Sequence, residues 1–185
     1  MTGRVSPLER ADIDAGVADR IQASFPRAAK FFTDDAPPMP PVLGLLALHQ
    51  AIAGPWLAFS AALLDAGVLD PRTRELLTLA TAHRTSSDYI WQEHLPMAAA
   101  AGVSPDEVDS IAGSTEHGWS DADAALLLAV DELVDRQRVS ESTWASLSAC
   151  FDDEALLEIL FVVGAYSCLA MVLNSTGITV LEERA

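Results

Sequence analysis

The sequence predicts an all-α helical bundle. Apolar residues recur at spacings of three and four through most of the chain, and helix start and stop signals punctuate it at short intervals. No alternating apolar and polar run is long enough for a convincing strand. With 185 residues, the chain has the length of one domain with a substantial core. We therefore read 1–185 as a single helical domain carrying an N-terminal helical arm over about 1–36.

The arm is expected to be helical over about 7–24, and such an arm could wrap a neighbouring subunit. Its first twenty residues are polar, with Arg4 and Arg10, and lack the apolar centre of a signal peptide, so no export is expected. Pro37-Pro38-Met39-Pro40-Pro41 is a stiff connector to the body. Leu43 to Gln50 and Pro55 to Asp65 read as two helices joined near Gly54. Asp70-Pro71 then supplies a capping side chain and a residue whose missing N–H costs nothing in a first turn, so a helix runs over 71–84. The next begins at Ser86 or Ser87, bends at Pro96 and closes at Gly102. Ser104-Pro105-Asp106-Glu107 is a capping box opening a short helix through Ile111. Ser120 and Ser140 cap two more helices, reaching about Gln137 and Cys150. The run from Ile159 to Leu173 is nearly all apolar, but it is short for a membrane span and follows Glu158 directly. It reads as a fully buried central helix.

Two titratable groups fall on apolar faces of neighbouring helices. Leu79, Ala82 and His83 follow Glu75 at four, seven and eight residues, so Glu75 faces side chains and not water alone. Ser87, Ile90, Trp91, His94, Met97 and Ala98 form one stripe, which puts His94 on a buried face. A buried acid and a buried imidazole have their pKa values moved toward neutrality, as general acid and base work requires. The same two residues also fit a structural pair that hydrogen-bonds to each other or to Arg74 and fixes helix register. His83, near the end of its helix, serves the terminal carbonyls or the site, and His117 reads as exposed in a polar loop.

Glu75, the Asp88-Tyr89-x-Trp91 group, His94 and the Gly102-Val103-Ser104-x-x-Glu107 turn together resemble the carboxymuconolactone decarboxylase family, which includes the alkylhydroperoxidase-D-like proteins. The resemblance extends upstream to His49 and Trp56 and downstream to the apolar helix ending near Asn174. It implies an oligomeric alkylhydroperoxidase-D-like bundle.

What it implies for chemistry depends on two residues. The peroxidase branch carries a Cys-x-x-Cys-x-x-x-His helix, and counting back from His94 those thiols fall at Ser87 and Ile90, neither of which runs a disulfide cycle. The two cysteines present, Cys150 and Cys168, lie apart in apolar helical settings and read as buried core residues. Thiol peroxidase activity is therefore disfavoured. The decarboxylase branch needs only a proton donor and acceptor beside a lactone acid, and this chain keeps both. It departs from true lactone decarboxylases in its Tyr89-x-Trp91 pair and its long C-terminal extension.

Composition narrows the partners. Half the residues are hydrophobic while the formal net charge is -16, a pairing that suits a homo-oligomer burying apolar surface between subunits. Such an acidic chain is repelled by nucleic acid and by anionic membranes, so neither is a partner. Two unclustered cysteines suit the reducing cytoplasm. Glu75, His83 and His94 lack the spacing of a metal-ligand motif, and no glycine-rich cofactor loop occurs, so neither metal nor cofactor is expected.

The expectation is a cofactor-independent decarboxylase, isomerase or lactone-processing enzyme acting on a small organic acid or carbonyl compound. Glu75 is its general base or proton shuttle and His94 its general acid or oxyanion partner, with Ser87, Tyr89, Ile90, Trp91 and His83 contacting substrate. Tyr89 and Trp91 also fit core or subunit-interface aromatics. A non-catalytic ligand-binding or scaffold protein of the same fold is the alternative.

Overall fold

The computed structural model describes residues 3–180. Among them the chain is helical with no strand, and it divides into two compact units, residues 3–67 with 175–180, and residues 68–174.

In the first unit a 3-10 turn at Arg10–Asp12 precedes α1 (Ala15–Ser24). The expected arm is interrupted because Asp14 turns its carboxylate back to accept from the Gly16 N–H and starts a new helix. Val17 and Ile21 of α1 are buried with Ile13, Ala28 and Phe31 against Leu43 and Ala47 of α2 (Pro41–Ala47) and Leu57 of α3 (Gln50–Ala61). One apolar face of the arm is thus covered within its own chain. Gly44 allows a close crossing. The Leu8 N–H donates to its carbonyl at 3.2 Å, and a Cβ there would lie 2.1 Å from the Leu8 carbonyl oxygen.

The joint between the two helices falls at Leu48-His49 and not at Gly54. The N–H groups of Leu48 and His49 donate to the carbonyls of Leu45 and Leu46, closing α2 in a tight turn, and the His49 carbonyl accepts from Ile52 and Ala53 to start α3. Pro55 lies inside α3, which continues into one wide turn at Ala62–Ala66.

In the second unit α4 (Pro71–Arg84) is the central element, with every residue from Thr73 to Ala82 buried. Packed around it are α5 (Asp88–Ala101), α6 (Pro105–Ile111) and α7 (Asp121–Arg136), with α8 (Glu141–Ser148) against α7. The polar residues of so buried a helix need internal partners. Thr78 and Thr81 donate to the carbonyls of Arg74 and Leu77, and Arg72 pairs with Glu107 of α6 and, at 3.1 Å, with Asp123 of α7. Glu107 also completes the capping box by accepting from the Ser104 N–H.

The last helix, α9 (Asp153–Thr176), turns Ile159, Val162, Val163, Ala170 and Leu173 inward. Its buried Glu158 accepts from the N–H groups of Val68 and Leu69 at 2.5 and 3.2 Å, holding the entry to α4. The helix is not fully buried as expected. Leu157 and Met171 are 56% and 65% exposed, and Cys168 is exposed too; Leu157 and Cys168 lie about half a turn round the helix from the buried Ile159. By length and composition α9 is apolar enough to cross a membrane, although within the unit it buries one face.

The Arg72 cluster gives the second unit a pH dependence. Burial alone would raise the Glu107 carboxyl, but the Ser104 N–H and the Arg72 guanidinium outweigh it and hold the group below the ordinary carboxylate range. As pH falls the unfolded chain takes up the proton first, so this stabilisation is full above about pH 4.3 and is lost as pH falls through the folded value. Arg72→Gln should cost about 1.5–3 kcal/mol at neutral pH in urea unfolding, with the gap to the parent shrinking toward zero in acid. A gap of constant size across that range contradicts the assignment.

Candidate functional site

Local signals at the start of α4 and the end of α5 set the site. The Asp70 carboxylate accepts from the Thr73 N–H and, at 2.6 Å, from its hydroxyl, with Pro71 in the first turn, so Glu75 begins the second turn. The chain reverses through Thr85-Ser86-Ser87, with Ser86 at φ 51° and the Ser87 N–H donating to the Ala82 carbonyl. Helix α5 continues unbroken through Pro96 and ends where Gly102 takes φ 95°. This helical hairpin brings His94 back beside Glu75.

Their contact is direct. His94 Nδ1 lies 2.7 Å from Glu75 Oε2, with the glutamate side chain 2% exposed and the histidine 12%. A carboxylate so buried accepts a proton-bearing nitrogen, so Nδ1–H donates to Glu75, and Nε2 has no hydrogen-bond partner among the described residues. Tyr166 of α9 meets the ring edge-on at 5.0 Å and 90°, fixing its tilt. Burial first, and the Glu75 charge second, push the Tyr166 phenol far above its ordinary value, so it stays neutral across the physiological range. Arg74 precedes Glu75, with its Nε 3.9 Å from Glu75 Oε1.

The other residues singled out by sequence lie elsewhere on the hairpin. Ile90 is core, one turn before His94, and Tyr89 is buried. Ser87 is seven residues from His94, about 10 Å along a helix axis, and its buried Oγ neither caps α5 nor has another partner. Trp91 packs against His83 with ring centroids 6.1 Å apart, and His83 itself is exposed about 12 Å along α4 from Glu75. Met97 is exposed, outside the buried stripe expected of α5.

Two further expectations are corrected. Cys150 and Cys168 are exposed and not core: Cys150 lies in the turn that ends α8, and Cys168 is half a turn round α9 from Ile159. Cys168 therefore points away from the face that carries Tyr166 to His94. His117 is not simply exposed, since the loop folds back to stack it on Trp119 at 4.6 Å with Nε2 4.0 Å from Glu107. Sequence reasoning missed Tyr166, whose only signal was its placement on the inward face of α9.

Among the described residues no group of three or more histidine, cysteine, aspartate or glutamate side chains is gathered to hold a metal. The first unit contains a cleft of about 610 Å³ lined by Leu8, Arg10, Pro38, Met39 and Ile178 among others, and the Glu75–His94 pair is not part of it.

Residues 50–132, which contain both Glu75 and His94, match the sequence model of the carboxymuconolactone decarboxylase family. No curated protein matches the chain. Among solved structures, the alkylhydroperoxidase core of an uncharacterised peroxidase-related protein from Ralstonia eutropha JMP134 is 20% identical, with 99% of this chain and 94% of that one covered at a TM-score of 0.79. A peroxidase-related protein from Silicibacter sp. TM1040 is 14% identical over 98% and 93% of the two chains, with a TM-score of 0.78. A cysteine-to-alanine variant of the debrominase Bmp8 in complex with 2,3,4-tribromopyrrole is 12% identical over 98% and 94%, with a TM-score of 0.72. These likenesses show the all-α alkylhydroperoxidase-D-like fold.

The tautomer of His94 is open to direct measurement. Two-bond proton–nitrogen spectra of the neutral ring should show Nδ1 protonated and Nε2 bare, and the opposite tautomer contradicts the geometry.

Proposed function

With its central segment, residues 50–132, in the carboxymuconolactone decarboxylase family, we propose that this protein is a cofactor-independent acid/base enzyme acting on a small organic acid, lactone or carbonyl compound. The observation that carries the reading is the 2.7 Å contact between His94 Nδ1 and Glu75 Oε2. It gives the two residues unequal roles. Glu75, almost sealed, orients the imidazole and balances the charge the ring gains on protonation, while His94 takes or returns the substrate proton at Nε2. Neutral Tyr166 fixes the ring without competing for that proton.

The geometry favours acid/base chemistry over a thiol cycle in this chain. Ser87 and Ile90 stand where the peroxidase pattern has cysteines, and the exposed Cys168 lies on the far side of α9 from His94. Both free cysteines suit a cytoplasmic setting.

A homo-oligomer belongs to the same proposal. Leu157, Gly164, Cys168 and Met171 are exposed on α9 at spacings of seven, four and three, the seam pattern of a helix that packs against another helix. From Ile159 to Thr176 α9 carries no charged side chain in a chain of net charge -16, so like-charge repulsion between copies is weakest there.

Two experiments test these readings. In heavy water, a panel of lactone acids and keto acids should exchange a carbon-bound proton for deuterium in the presence of the protein. Glu75→Gln and His94→Ala should each lower that rate about 10²–10⁴-fold with assembly intact; parental rates in both variants would remove the reading. Separately, Leu157→Glu with Met171→Glu should convert the assembly to monomers in light scattering, and an unchanged mass would place the subunit interface elsewhere.

A further inference from the structure

The side chain of Arg74 is nine-tenths buried, and its buried Nε has no hydrogen-bond acceptor among the described residues. The nearest charge is Glu75 Oε1 at 3.9 Å from Nε, beyond hydrogen-bond reach, and the other oxygen of that carboxylate is already used by His94. Arginine stays charged at any physiological pH, and a buried arginine is ordinarily paired. Its five donors lie in one plane, a fork that matches the two oxygens of a carboxylate. The other buried charged groups of the second unit each keep at least one hydrogen bond, although Glu158 Oε1 is also without a partner. Glu107 is met by Arg72 and Ser104, and Glu158 by the N–H groups of Val68 and Leu69.

We propose that Arg74 is the anchor for a ligand carboxylate at the Glu75–His94 site, so that the compounds processed there are small organic anions. The inference rests on the acid/base reading for its catalytic sense, but the binding step stands on the buried Arg74 Nε that has no hydrogen-bond acceptor. Arg74 is also the positive charge that makes such an anion tolerable beside Glu75. With His94 protonated the cluster carries a net positive charge, a local exception in a strongly acidic chain.

The test uses the full chain and simple probes, propionate and succinate against their neutral amides, read by shifts of the His94 ring resonances and by the melting temperature. The carboxylates should bind in the millimolar range and the amides should not. Arg74→Met should weaken carboxylate binding by at least about tenfold, and Arg74→Lys, which keeps the charge and loses the fork, should weaken it less but measurably. Glu75→Gln should abolish proton exchange and retain carboxylate binding, which separates the anchor from the chemistry. Amides binding as well as carboxylates, or either Arg74 variant binding at the parental level, would overturn the proposal. So would an absence of carboxylate binding together with dissociation of the assembly in Arg74→Met, the outcome expected if a second copy supplies the acceptor.

Discussion

A carboxylate 2% exposed inside a helix buried from Thr73 to Ala82 is tolerable only where a donor meets it, and that constraint organises the second unit. The donor is His94, and reaching it fixes the register of α5 against α4. The turn at Thr85-Ser86-Ser87 has to reverse the chain within three residues, and Gly102 has to end α5 so that α6 can return Glu107 to Arg72. Tyr166 then closes over the imidazole from α9, which is itself held at its start by Glu158 and at its end by the Asn174 side chain donating to the Thr85 carbonyl. Packing and chemistry converge on one hydrogen bond: the contact that sets the helical hairpin also assigns the free nitrogen of His94.

The parts of this arrangement that were legible in the sequence are local ones. Asp70-Pro71, the capping box at Ser104 and Glu107, and Gly102 act on their own neighbours, so helix boundaries there follow from residue type alone. The Glu75–His94 pair was legible because each lies on the apolar face of a short, strongly marked helix. The joint near Gly54 was misplaced because a Gly-Pro pair suggests a break wherever it occurs, whereas α3 absorbs Pro55 and the real joint at His49 is a backbone turn with no residue signature.

What remained hidden depends on which helix meets which. Tyr166 lies in a run so uniformly apolar that periodicity does not pick a face, and only the arrival of that helix at His94 gives the tyrosine a role. The same uniformity made Cys168 and the outward residues of α9 look like core. Arg74 was visible as a partner for Glu75, but its unmet Nε emerges only once the surroundings of α4 are in place. That unmet Nε is the detail on which the proposal of a ligand site rests.

The fold itself does not choose among activities, because proteins named as peroxidase-related and as a debrominase share it. The choice lies in what His94 Nε2 and Arg74 face. The most direct measurement is a crystal structure of the native assembly soaked with a small carboxylate. The account predicts an enclosed cavity bounded by His94 Nε2 and the Arg74 guanidinium, with the carboxylate on the guanidinium and its carbon chain directed at the ring. A His94 ring sealed in packed core, with Nε2 and Arg74 both satisfied by protein groups, would contradict it and leave Glu75 and His94 as a structural pair.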